Sequence, residues 1–245
     1  MCGLTGIFHP DRLGAVDAGL LRRMTDAIAY RGPDGDGFHV EAGIGLGHRR
    51  LSIVDVAGGA QPMYNEDESV VIVFNGEIYN FPELRPKLQA MGHVFRNRCD
   101  TEAVIHAWES WGPDCLLHLN GMFAFALWDR RQQSLFLARD RLGKKPLYYA
   151  RTRSGALVFG SELAALAPVP DLPRQISAAA VDDFFAFGYV PEPHSIYEGI
   201  HKLPAAHYLL LRHGAHAAPR RYWAPPTQSG SIGEGEAVRQ LSSLL

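Results

Sequence analysis

The sequence predicts an α+β fold built on large antiparallel β-sheets, with helices covering the sheet faces. Three observations predict it. Apolar runs of strand length fill much of the first two thirds of the chain. Four of them, at residues 122–129, 134–139, 146–150 and 157–159, are separated by short turns, the pattern of an antiparallel meander. Segments of helical periodicity lie around them and supply the cover that apolar sheet faces need.

Residues 2–8 read as a strand that ends before Pro10. Residues 17–30 carry Leu20, Leu21, Met24, Ala27 and Ile28 at helical spacing. The stretch 31–37 is rich in Gly, Pro and Asp and reads as loop throughout. Residues 45–54 and 69–74 are β-like; 70–74 is apolar at every position, as a strand covered on both faces would be. Asn80 and Glu83 form a capping-box pattern ahead of Leu84, Leu88 and Met91, with Pro86 expected to kink or break that helix. A second helix spans about 101–111, capped by Asp100 or Thr101 and stopped by Gly112, with Val104, Ala107, Trp108 and Trp111 inward. In the meander, residues 129–132 and 152–155 are the hairpin turns. A short helix at 162–166 precedes Pro168, and Ser177 caps a helix that Gly188 stops. Beyond it, Pro191, Pro193, Pro204, Pro219, Pro225 and Pro226 punctuate a connecting region. Residues 228–235 are rich in Ser and Gly, and 234–245 form an amphipathic helix with Val238, Leu241, Leu244 and Leu245 on one side. A stripe of that kind at a chain end needs a cover, so the sequence reads as the front part of a longer protein.

Composition narrows the function. With 245 residues, 47% apolar and 20% charged, a sizeable core is available and wholesale disorder is excluded. Lys+Arg number 24 against 26 Asp+Glu, giving −2, which leaves no footprint for nucleic acid or an anionic membrane. No apolar run approaches the roughly 18 residues of a spanning helix, and the N-terminus lacks a signal-peptide pattern. Cys2, Cys99 and Cys115 are an odd set without metal-ligand spacing, and the eleven His residues show no ligand-spaced cluster. These features point to a reducing, cytoplasmic setting and to no metal.

Four candidates carry chemistry, each with a bland alternative. Removal of Met1 would place a thiol and a free α-amine together on Cys2, and an amine of pKa near 7.7–8.0 is a local base for a thiol. Otherwise Cys2 is a small buried residue of an edge strand. Asn75-Gly76 follows the apolar strand directly and supplies a carboxamide and a glycine N–H, the makings of an oxyanion hole; the same dipeptide is a common hairpin turn. Arg49 and Arg50 lie in a β-like run that sends one guanidinium inward, either to bind a carboxylate ligand or to form a structural ion pair. Asp100 is a helix N-cap on these grounds, with a substrate ammonium as the competing partner.

In order along the chain stand Met1-Cys2-Gly3-Leu4-Thr5-Gly6-Ile7-Phe8, Arg31-Gly32-Pro33-Asp34, His48-Arg49-Arg50-Leu51-Ser52-Ile53-Val54-Asp55, Gln61-Pro62-Met63, Phe74-Asn75-Gly76-Glu77-Ile78-Tyr79-Asn80 and Asp100-Thr101-Glu102. Asn120-Gly121-Met122-Phe123-Ala124-Phe125, residues 138–149 and Phe159-Gly160-Ser161-Glu162 extend the series. Together these blocks resemble the class II glutamine amidotransferase domain of glutamine-hydrolysing asparagine synthetases, over about residues 2–215.

The resemblance implies the N-terminal-nucleophile hydrolase fold, two stacked antiparallel β-sheets flanked by helices (αββα). It implies that Cys2 is the nucleophile, exposed once Met1 is removed, and that Asn75 and Gly76 form the oxyanion pair. Arg50 would bind the glutamine carboxylate, with Leu51, Ile53 and Val54 giving backbone and wall contacts. Glu77 and Asp100 would hold the α-amino end, which overrides the capping reading of Asp100. The substrate implied is L-glutamine, with no cofactor or metal for this half. Residues 216–245 would be a linker and the start of a truncated ATP-dependent domain. In the family, such a C-terminal synthetase domain in cis uses Mg-ATP to amidate aspartate with the released ammonia. Its Ser-Gly-Gly-x-Asp-Ser loop is absent from this sequence. A homodimer is compatible with the resemblance. A paralogue amidating another carboxylate, or a non-catalytic scaffold of the same fold, is the alternative.

Overall fold

A computed structural model describes residues 1–11, 15–52, 58–214, 217–227 and 232–244. In chain order the elements are β1 (Gly3–Phe8), α1 (Ala18–Asp26), β2 (Gly35–Glu41), β3 (Ile44–Arg50), β4 (Met63–Tyr64), β5 (Val70–Ile78), α2 (Phe81–Ala90), α3 (Asp100–Trp111), α4 (Cys115–His118) and β6 (Gly121–Asp129). They continue with β7 (Ser134–Arg139), β8 (Tyr148–Arg151), β9 (Leu157–Gly160), α5 (Leu163–Leu166), α6 (Ala178–Phe187), β10 (Ile200–Lys202), β11 (His207–Arg212), β12 (Arg220–Arg221) and α7 (Glu234–Leu244).

Two six-stranded antiparallel sheets result. One runs β10-β8-β9-β1-β3-β2 and the other β12-β11-β7-β6-β5-β4. Alternation along β5 shows how they stack. Val71 and Val73 enter a core with Leu4, Phe8, Ile44 and Leu46 of the other sheet, while Val70, Ile72 and Phe74 face Val104 and Trp108 of α3. A third core packs Ile7 and Val158 against Leu21 and Met24 of α1 and Leu166 of α5. The layers are therefore helix, sheet, sheet, helix, and the fully apolar run 70–74 is buried on both faces as its sequence requires.

His48 braces the two sheets. Its Nε2 lies 3.0 Å from the carbonyl of Phe74, and burial lowers its pKa to about 4, so the ring is neutral.

Several expectations hold at the level of local chemistry. The Ser177 side chain accepts from Ala180 N–H at the start of α6. Gly188 stops α6 in the left-handed conformation, and Gly112 stops α3 with φ 55. Val238, Leu241 and Leu244 of α7 are exposed, as the stripe at the chain end predicts; Leu245 lies outside the described residues.

Others fail for identifiable reasons. The four-strand meander is two hairpins in different sheets: β6 pairs with β7, β8 with β9, and residues 140–147 cross between the sheets. The stretch 31–37 is only partly loop, because β2 begins at Gly35 and pairs with β3 in register from Gly35↔Arg50 to Glu41↔Ile44. Gly37 serves close approach, since a Cβ there would lie 2.0 Å from the Gln61 carbonyl oxygen. Asn80 stands at the N-cap of α2, but its side chain makes no capping bond. Its amide donates to the His118 carbonyl at 2.9 Å and accepts from Asn120 N–H at 2.8 Å, tying the exit of β5 to the start of β6. Pro86 sits inside an unbroken α2, where buried Leu84 and Leu88 outweigh one lost hydrogen bond, and Met91 is exposed. Strands β10, β11 and β12 occupy the Pro-punctuated region read as connection, and Tyr222 beyond them packs on the core. Among the described residues no helix is long and apolar enough to cross a membrane.

Candidate active site

The predicted site residues come from four segments that meet at one end of the sandwich. β1 begins one residue after Cys2, and its antiparallel neighbour β3 ends at Arg50, so pairing of Gly3 with Arg49 brings Cys2 beside Arg50 and Leu51. β5 contributes Asn75, Gly76 and Glu77, and the first residue of α3 is Asp100. All seven line one pocket. Ile53 and Val54, predicted for its wall, lie outside the described residues.

The Cys2 thiol is fixed by backbone. Leu51 N–H donates to its sulfur at 3.4 Å, and the sulfur lies 3.6 Å from the Leu51 carbonyl. Arg31 Nε donates to the Cys2 carbonyl at 2.9 Å, and its guanidinium is itself held by Glu162. The other two thiols are unlike it. Burial pushes the Cys99 thiol up to about 11 and raises Cys115 further, so neither ionises near neutral pH.

Asn75 and Gly76 are not a turn, and they do not follow the strand. They lie inside β5, paired with Ala124 and Phe123 of β6, which removes the hairpin alternative. Gly76 is required by proximity and not by unusual backbone angles: a Cβ there would lie 2.3 Å from the Met122 carbonyl oxygen. Asn75 is 1% exposed, and its Nδ2 has no hydrogen-bond partner. A buried amide left without an acceptor costs about 1–3 kcal/mol. Such a group in a pocket wall is poised for an oxygen that arrives with a ligand.

Across the pocket, Asp100 is 7% exposed. It is the first residue of α3 and not its cap, which is Cys99. Its Oδ2 accepts from Ile78 N–H at 2.7 Å, and burial raises its pKa, which favours a cation as its remaining partner. Arg50 and exposed Glu77 add one charge of each sign at the rim. The pocket thus pairs a thiol and an unsatisfied amide with charges suited to a zwitterion.

Three lining or supporting residues were not singled out by sequence. Lys145 is buried, lines the pocket and donates from Nζ to the Met1 sulfur at 3.4 Å. Gln61 lines it too, and its Oε1 accepts from Phe74 N–H at 2.6 Å, holding β5 just before Asn75. Arg31 acts from behind, on the Cys2 carbonyl. Each belongs to a sequence block noted above, but a lone Lys in a charge run or an Arg before Gly-Pro carries no signal of its own.

The family model for the glutamine amidotransferase domain matches residues 1–223. The chain belongs to this family. The amidotransferase domain is 37% identical over 249 residues to glutamine-hydrolyzing asparagine synthetase 3 of Bacillus subtilis (strain 168), covering 100% of this chain and 40% of that protein. It is 39% identical over 218 residues to asparagine synthetase 2 of the same organism, covering 86% and 29%. The domain thus spans less than half the length of either relative. The solved structure of glutamine phosphoribosylpyrophosphate amidotransferase from B. subtilis superposes with a TM-score of 0.65 at 17% identity, over 91% of this chain and 49% of that one. That similarity shows the N-terminal-nucleophile amidotransferase fold, in agreement with the two stacked sheets between helical layers.

Proposed function

We propose that this amidotransferase domain hydrolyses the side-chain amide of L-glutamine to glutamate and ammonia, with Cys2 as nucleophile after removal of Met1. The observation that carries the reading is the buried, unpartnered Asn75 Nδ2 in the same pocket as the Cys2 thiol. The thiolate attacks the amide carbon, and the resulting oxyanion receives hydrogen bonds from Asn75 Nδ2 and the Gly76 N–H. The protonated α-amine of Cys2 gives its proton to the departing nitrogen, the C–N bond breaks and a thioester remains. Water then adds to the thioester, losing a proton to the same amine, and glutamate leaves with the thiol restored. Arg50 holds the substrate carboxylate, Leu51 lends backbone and wall, and Asp100 with Glu77 takes the ammonium. No cofactor enters these steps.

The greater length of the relatives supports a larger arrangement, in which ammonia passes to a C-terminal synthetase portion of the same polypeptide that uses Mg-ATP to amidate aspartate to asparagine. The glutaminase unit then extends past the expected boundary at 215 to take in β12 and Tyr222, and the residues beyond 223 lead towards that portion.

The test is glutamine hydrolysis by the purified chain without ATP or Mg²⁺, with glutamate and ammonia followed separately and intact mass reporting on residue 1. Equal release of both products, lost in Cys2→Ala, is the expected result. Turnover by molecules that all retain Met1 would exclude the free-amine mechanism.

A further inference from the structure

Away from the pocket, three elements bring imidazole and carboxylate groups together on the outer flank of α3. Glu66 lies in the turn between β4 and β5, and His93 follows α2. His106 sits on α3 between Glu102 and Glu109, at positions that share one helix face. One oxygen of Glu66, one ring nitrogen of His93 and one of His106 all lie within 4.8 Å of one another.

The His106 side chain is 1% exposed, and its two nitrogens differ sharply. Nδ1 lies 3.0 Å from Oε2 of Glu109, whose other oxygen accepts from Asn65 Nδ2 at 2.7 Å. A carboxylate at Nδ1 fixes the proton there and leaves a lone pair on Nε2. Nε2 has no hydrogen-bond partner, yet it faces Glu66 Oε1 at 3.9 Å and Glu102 Oε1 at 4.0 Å. A bare lone pair directed at two carboxylates, out of reach of water, is electrostatically unfavourable unless something positive stands between them. Glu102 is already engaged, accepting from Arg96 N–H and Asn97 N–H at 2.7 and 3.1 Å. Among the described residues the Glu66 carboxylate accepts backbone N–H groups, Val94 N–H at 3.0 Å among them, and its side chain is 32% exposed, which gives an ion a way in from solvent.

We propose that Glu66, His93 and His106 bind a divalent transition-metal ion of the zinc type, with Glu109 orienting His106 as an outer partner. Two imidazoles and one carboxylate favour zinc, cobalt or nickel over magnesium or calcium, which prefer all-oxygen shells. A tetrahedral ion with ligands near 2.1 Å spaces its donors by about 3.4 Å, so the cluster must contract by roughly 1 Å. The exposed Glu66 and half-buried His93 side chains can supply that movement. A fourth position remains for water. Such an ion would pin the β4–β5 turn and the segment after α2 to α3, the helix whose first residue enters the amidotransferase pocket. The site is independent of the glutaminase reading.

The experiment titrates Zn²⁺ into chelator-treated Cys2→Ala protein, which removes the exposed thiol as a rival ligand, and follows heat and the thermal midpoint. One Zn²⁺ per chain is expected, with a midpoint rise of about 5–10 °C at roughly a hundred-fold excess over Kd, and no response to Mg²⁺. Glu109→Gln should weaken binding about ten-fold or more, and Glu66→Gln, a partly exposed change that does not threaten folding, further still. Co²⁺ should give the visible absorption of a tetrahedral site in the Cys2→Ala background and lose it in His106→Ala. No Zn²⁺ uptake, or uptake unchanged by Glu66→Gln, would overturn the proposal.

Discussion

Two buried aspartates, Asp140 just after β7 and Asp100 in the first turn of α3, have opposite surroundings. Asp140 opens the crossover between the sheets, is 1% exposed, and accepts from four backbone N–H groups: Phe123 at 3.1 Å, Leu142 at 3.1 Å, Lys144 at 2.9 Å and Lys145 at 3.0 Å. Asp100 is nearly as buried, but its backbone partner from outside α3 is Ile78 N–H, and it otherwise meets the Thr101 N–H of its own helix and the weak thiol donor of Cys99 at 3.5 Å. The same side chain is a closed knot in one region and an open hand in the other. Where a buried charge is saturated by backbone it holds the fold; where it is left short of donors, a ligand is the missing partner.

That contrast can be broken or sharpened by substitution. The largest effect belongs to the pocket. Asn75→Ala should lower kcat for glutamine by roughly 10²–10³-fold, the usual cost of an oxyanion donor, while leaving thermal stability level or slightly higher because an orphaned amide is removed. Parental turnover in this variant would break the oxyanion assignment. Next, Asp140→Ala orphans four N–H groups and should cost about 3 kcal/mol or more, seen as a lower urea midpoint. A loss below ~1 kcal/mol would mean water replaces the carboxylate and the knot is not closed.

Acid should expose a third buried polar group. The His48 ring has a folded pKa of about 4 against 6.5 unfolded, so its neutral form contributes stability that is complete above pH 6.5 and is lost as pH falls through 4. That amounts to about 3 kcal/mol across the window, and His48→Asn should flatten this limb of the pH–stability curve. Asp100 works in the opposite sense, since its raised pKa makes protonation favourable on folding. The smallest effect is therefore Asp100→Asn: KM for glutamine should rise about ten-fold with stability unchanged or improved, and an unchanged KM would remove Asp100 from substrate binding.

The sequence is legible where one residue acts on its immediate neighbours. Ser177, Gly112 and Gly188 start or stop helices by local geometry, and the unbroken apolar run at residues 70–74 reports burial on both faces directly. It is illegible where partners are distant. The split of the expected meander depends on Asp140 reaching Phe123, seventeen residues back. Strand β2 is concealed by two glycines, of which Gly37 is there for close contact with Gln61, and Asn75-Gly76 has the letters of a turn although β6 holds it in strand. Cys2, Arg50, Asn75 and Asp100 stood out through the ordered blocks around them, whereas Lys145 and Arg31 gain meaning only beside Met1 and Cys2. His93 and His106 are thirteen residues apart and meet Glu66 only through packing of three elements, which no ligand spacing could announce.

The grip of Arg31 on the Cys2 carbonyl has a practical side. The anchor acts downstream of the Met1–Cys2 peptide bond, so cutting that bond frees the amine without loosening the residue that bears it. Removal of Met1 would leave Cys2 anchored while Lys145 loses the Met1 sulfur as its partner. The converse is less welcome: extra residues ahead of Cys2, such as an affinity tag, leave the thiol seated and the fold intact while its nitrogen stays locked in an amide. Such a preparation would pass every check of folding and still be an impostor at the bench.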